Sequence, residues 1–147
     1  MTSEARQPVP EDARRPPAPS RIKAVFRILL GVAMIGVGVT HFTGPEPFVR
    51  MVPAFLPAPL ALVYVSGAAE IAGGAGLFVP KLRRAASWGL VALYVAVFPA
   101  NLNMAIHGLP LGDYHAPPFA LWARLPLQLV LIAWALWVGK PDTRLDR

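Results

Sequence analysis

The chain contains no cysteine, which excludes a disulfide, a thiolate metal site and an internal dithiol relay. Any redox role has to rest on another group. Charge is scarce as well: 15% of the 147 residues are Asp, Glu, Lys or Arg, and eight are acidic. No nucleotide-binding loop, catalytic triad or zinc-ligand spacing is present, so no catalytic residue and no metal ligand is assigned. What is abundant is apolar surface, with 55% hydrophobic residues and a mean hydropathy of +0.49. That exceeds what one small soluble core can hide, and a lipid bilayer is the natural solvent for it. The formal charge of +6 and pI near 10.5 would suit nucleic acid only if the basic residues were spread over a folded soluble face. They sit instead in short clusters between apolar runs, so nucleic acid is not an expected partner.

Residues 1–20 hold five prolines, Pro8, Pro10, Pro16, Pro17 and Pro19, and no aromatic residue. Such a segment cannot bury enough apolar area to offset its chain entropy, and it is predicted to be a disordered tail. Four apolar runs follow, at about 22–42, 58–79, 85–106 and 118–138. Each has the roughly 20 residues needed to cross about 30 Å of hydrocarbon at about 1.5 Å per residue. The first opens with Lys23 and Arg27, placed to snorkel back to the headgroups. It is longer than a signal-peptide core, and Val39-Thr40-His41-Phe42 offers no small-x-small cleavage site, so it is expected to be retained. The predicted fold is all-α: a four-transmembrane-helix bundle of up-down topology over 21–139, followed by a short tail at 140–147.

Orientation is read from the basic residues. Arg6, Arg14, Arg15, Arg21, Lys23 and Arg27 precede or open the first span; Lys81, Arg83 and Arg84 fill the loop between the second and third; Lys140, Arg144 and Arg147 follow the fourth. The loops at 43–57 and 107–117 carry Arg50 as their one basic residue. The positive-inside rule predicts that both termini are cytoplasmic. Within the first of those outer loops, Phe48, Val49, Met51, Val52, Phe55 and Leu56 are interrupted by Pro47, Pro53, Pro57 and Pro59. These prolines forbid a long helix. The segment reads either as a surface anchor lying in the membrane interface or as a lid over an outward-facing cavity.

The polar residues inside the spans are few. Glu70 lies about 12 residues into the second run, where an ionisable group costs about 2.5–3.5 kcal/mol on insertion scales. It shares a helical face with Ser66, Gly67, Gly73 and Gly74, small residues that permit close helix approach. Arg124 enters the fourth run from the outer side, with Gln128 one turn deeper on the same face, and sits about 7 Å shallower than Glu70. Arg124 either closes that gap to Glu70 or snorkels outward. In the third run Asn103 and His107 share a face, Asn101 points elsewhere, and Pro99 frees the carbonyl near position 95. With His41 at the outer end of the first run, the set His41, Glu70, Asn101, Asn103, His107, Arg124 and Gln128 falls in the outer half, with no equivalent set in the inner half. This asymmetry predicts an outward-facing polar, ligand-binding pocket; the simpler expectation for the same residues is hydrogen bonding between helices. Two histidines on different helices could ligate haem, but no further ligand pattern accompanies them and haem is not expected.

The blocks His41-Phe42 with Pro45, Phe48 and the Val52–Pro57 stretch, then Ser66 to Leu77 with its Gly-x-x-Glu-x-x-Gly-Gly core, then Pro99-Ala100-Asn101-Leu102-Asn103-Met104, resemble the DoxX family of small bacterial membrane proteins over about residues 22–138. The resemblance implies four transmembrane helices in a bacterial inner membrane and a connection to quinone-linked redox systems. The leading expectation is an accessory membrane subunit, rather than a stand-alone enzyme, whose outer-half pocket binds a quinone-like or other small ligand in a redox context with membrane redox subunits as partners. Two alternatives remain: an assembly or interaction protein in which Glu70 and Arg124 only specify helix packing, and a small transporter that would homo-oligomerise to form a path.

Overall fold

A computed structural model describes residues 21–110 and 117–141. The predicted tail at 1–20 lies outside the described residues, as does most of the tail predicted at 140–147. Five helices are described: α1 (Arg21–Thr43), α2 (Glu46–Met51), α3 (Pro59–Phe78), α4 (Arg83–His107) and α5 (Pro118–Gly139). Four of them, α1, α3, α4 and α5, are long and apolar enough to cross a membrane, the pattern of a multi-pass membrane protein. Their bounds fall within two residues of the apolar runs.

Proline sets several of these starts. Pro59 and Pro118 open α3 and α5 and Pro47 stands in the first turn of α2, positions where a missing N–H costs nothing because the first-turn donors have no intrahelical acceptor. At its other end α4 stops on Gly108 in the left-handed conformation, φ 62°, a C-cap that glycine adopts without strain.

The bundle is built from pairwise packing in which contacts fall along one helix as they rise along the next. On α1 and α3, Gly31 meets Gly74 and Gly38 meets Gly67, backbone against backbone. Gly73 of α3 packs on Leu90 of α4, and α4 lies along α5. The tightest core sits toward one end, where Leu30, Leu77, Leu90 and Val138, one from each long helix, are at most 1% exposed. Outward faces are apolar: Val65, Val95 and Leu129 are each more than 60% exposed. An aqueous surface would penalise such faces and hydrocarbon does not.

At that closed end the expected snorkelling of Lys23 and Arg27 is not what the structure shows. Both side chains are buried. The Lys23 ammonium donates to the carbonyls of Lys140 (2.6 Å) and Pro141 (3.0 Å), and Arg27 donates through Nε and Nη2 to the Val138 carbonyl, each at 3.2 Å. The last carbonyls of α5 have no intrahelical donor and sit at the negative end of its dipole, so two cations from α1 satisfy both needs. Ser87 joins them by donating to the Ala135 carbonyl at 2.7 Å. This end therefore holds buried polar side chains of its own, each turned onto backbone.

Candidate functional site

At the opposite end the four long helices part around a cavity of about 820 Å³. Its walls are mostly apolar, from residues such as Met34, Val63, Leu93, Val97 and Leu131, and one side is covered by Phe48 and Met51 of α2 with Val52 and Leu56 that follow it. Part of the segment 45–59 is thus folded onto the bundle, while Phe55 stays 78% exposed. Phe48 stacks on the His41 ring with centroids 3.9 Å apart and planes at 21°. Met51 is buried among Met104, Ala105 and Leu121, and its carbonyl accepts from Asn103 Nδ2 at 3.0 Å.

The α1–α3 wall follows from the glycines. A Cβ on Gly67 would stand 2.7 Å from the Cβ of His41 and 2.9 Å from the Gly38 carbonyl, so only glycine lets the two backbones approach this closely. The approach brings His41 of α1 beside Glu70 of α3, Nδ1 to Oε2 3.3 Å. His41 Nδ1 also lies 2.9 Å from the Val37 carbonyl. A carbonyl can only accept, so Nδ1 carries the hydrogen and donates it to Val37. Oε2 of Glu70, although buried, has no hydrogen-bond partner among the described residues. The ring and the carboxyl are therefore in electrostatic contact without a hydrogen bond.

The α4–α5 wall carries an amide chain. Asn101 Nδ2 donates to Gln128 Oε1 at 2.9 Å, and Gln128 Nε2 donates to the backbone carbonyl of Tyr94. The Tyr94 hydroxyl in turn donates to Met34 Sδ at 3.1 Å. Arg124, half-buried at the same wall, donates from Nη1 to Met104 Sδ at 3.2 Å. A thioether is a weak acceptor for a guanidinium with five N–H donors.

Of the seven residues singled out from sequence, His41, Glu70, Asn101, Arg124 and Gln128 line this cavity and Asn103 and His107 do not. The helical offset explains the split: two residues turn a helix by about 200°, so with Asn101 facing Gln128, Asn103 faces α2. His107 Nδ1 donates to the Asn103 carbonyl at 2.9 Å on an exposed face. Nor do Glu70 and Arg124 meet each other: Glu70 lies against His41 and Arg124 against Met104. Each follows its own closest helix neighbour, α3 on α1 and α5 on α4. Thr40, Ser66 and Tyr94 are the polar cavity residues missing from the sequence-derived set. Tyr94 had a usable signal, because it precedes Asn101 by seven residues and so shares its helical face.

A family model for a domain of unknown function (DUF8561) matches residues 30–139, a stretch that contains every cavity residue. No curated protein and no solved structure matches the chain. None of these comparisons bears on the resemblance to the DoxX family.

Proposed function

The chain belongs to the DUF8561 family of domains of unknown function, and from the site it carries we propose that it binds a quinone-like ligand in the membrane as an accessory subunit of a redox system. The observation that carries this reading is the buried Glu70 Oε2, which contacts the His41 ring but makes no hydrogen bond among the described residues, in the wall of a largely apolar cavity of about 820 Å³. A cavity of this size falls in the range of small-molecule sites, about 300–1,000 Å³, where apolar walls hold the body of a ligand and a few polar groups orient it. A lipid-soluble ring with oxygen substituents and an apolar tail matches that distribution. Glu70 and Arg124 are polar anchors on facing walls, and Phe48 with Met51 covers the ring.

The chain has no cysteine, so in this reading it positions the ligand while a partner subunit exchanges electrons with it. The bundle is up-down with both termini cytoplasmic, as its basic clusters favour, and the cavity opens toward the outer half. The bacterial inner membrane and the redox partners rest on the DoxX resemblance.

Mass spectrometry of the protein extracted in mild detergent with its lipids retained tests the reading. The expected result is a quinone bound in wild type and depleted in an Arg124→Gln variant of unchanged thermal stability. Retention of phospholipid alone, equal in both proteins, would overturn it.

A further inference from the structure

We propose that the cavity selects the hydroxyl-bearing, reduced form of its ligand, a quinol over the corresponding quinone. This inference rests on the quinone-like reading and adds the polarity of the hydrogen bonds the site offers.

The argument is a donor and acceptor census of the two polar walls. On the α1–α3 wall the hydrogens are already committed to backbone carbonyls. Thr40 Oγ1 donates to Val37 at 2.6 Å, Ser66 Oγ donates to Val63 at 2.8 Å, and His41 Nδ1 donates to Val37. Acceptor capacity is left over on the same wall: the lone pairs of both hydroxyl oxygens, and Glu70 Oε2, which is buried with no hydrogen-bond partner among the described residues. As a carboxylate Glu70 offers about four lone-pair sites and no hydrogen, so in that form it only accepts. The α4–α5 wall is the reverse, because Arg124 accepts nothing and directs one N–H at a sulfur, leaving strong donors at the cavity.

A ligand that complements both walls must donate on one side and accept on the other. A quinone ring presents only acceptors, which suits Arg124 and leaves a Glu70 carboxylate without a hydrogen-bond donor. A quinol hydroxyl donates to Glu70, and its second oxygen accepts from Arg124. Leaving a buried acceptor without a donor is costly enough to weaken binding about tenfold or more.

The test uses the full chain in lipid nanodiscs under anaerobic conditions, with a short-tailed benzoquinol and its oxidised benzoquinone as probes in equilibrium dialysis. The expected result is at least about tenfold tighter binding of the quinol to wild type. In Glu70→Gln, whose amide both donates and accepts, that preference falls to near unity. Equal binding of the two forms, or tighter binding of the quinone, overturns the selectivity while leaving the quinone-like reading intact. A preference that persists in a folded Glu70→Gln variant overturns its assignment to Glu70. Binding of neither form removes the proposed function and this inference together. The wild-type comparison requires no variant to fold.

Discussion

Two glycines two residues apart on α1 should respond oppositely to the same substitution. A Cβ on Gly38 would lie 2.7 Å from the Gly67 carbonyl oxygen and 2.7 Å from Ile71 Cγ1. Ordinary contact begins at 3.4 Å, so α1 and α3 would have to separate by about 0.7 Å. The carbonyl is part of a helix ladder and cannot swing aside. A gap of about 0.5–1 Å forfeits a quarter to a half of each dispersion contact it opens, and over-packing of this kind costs about 1–3 kcal/mol. Gly36 has nothing within 4 Å of its added Cβ, and there the substitution recovers up to about 1 kcal/mol of helix propensity. Thermal unfolding in detergent should therefore place Gly38→Ala below wild type and Gly36→Ala at or above it. The same separation draws His41 away from Glu70, so Gly38→Ala should also weaken ligand retention. Equal melting temperatures for the two variants would refute the backbone-contact account of this interface.

The native absence of cysteine permits a clean topology assay: Gly112→Cys should react with an impermeant thiol reagent in intact cells and Thr143→Cys should not, and the opposite pattern would invert the proposed orientation. Arg27→Met should lower stability by about 1–3 kcal/mol by leaving the Val138 carbonyl without its donor, with ligand retention unchanged because the cavity lies at the other end. In a double-mutant cycle, Glu70→Gln and Arg124→Gln should add to within about 0.3–0.5 kcal/mol, whereas Glu70→Gln and His41→Gln should deviate by more. Non-additivity of the first pair would mean that the two charges interact after all.

The long helices were legible in the sequence because each is a continuous apolar run of membrane length bounded by proline, glycine or basic residues, signals that act locally. The small-residue face of α3 was legible too, since Gly67, Glu70, Gly73 and Gly74 recur at helical spacing. The partner of Glu70 was not. Spacing within a helix fixes which residues share a face but leaves open which neighbouring helix that face meets. Here Gly31 and Gly38 of α1 decide it, by admitting α3 to backbone contact. That stripe of two, seven residues apart, is visible only once the pairing of α1 with α3 is known. Lys23 and Arg27 illustrate the same limit. Near a membrane helix terminus, snorkelling is the local expectation for a long cation, and only the three-dimensional fold brings the end of α5, more than 110 residues away in the chain, within reach.

The two ends of the bundle treat buried polarity in opposite ways, and this contrast separates scaffold from site. At the closed end Lys23, Arg27 and Ser87 each donate to a carbonyl of α5 or of the residues just beyond it. Those carbonyls sit at a helix terminus or along an apolar bundle where water is scarce, so the polar side chains there satisfy a need created by the fold itself. At the cavity end Glu70 is not turned onto backbone in this way. Its contact with His41 leaves Oε2 without a hydrogen bond, and the nearby hydroxyls of Thr40 and Ser66 donate to their own helix rather than to it. A carboxyl that only glued helices together would be expected to accept from one of these donors, because an unsatisfied buried acceptor weakens packing instead of strengthening it. The sequence holds Glu70 in that position beside a cavity large enough for a ring and part of a tail. A donor brought by the proposed ligand would satisfy this acceptor, and the quinol and quinone comparison tests whether it does.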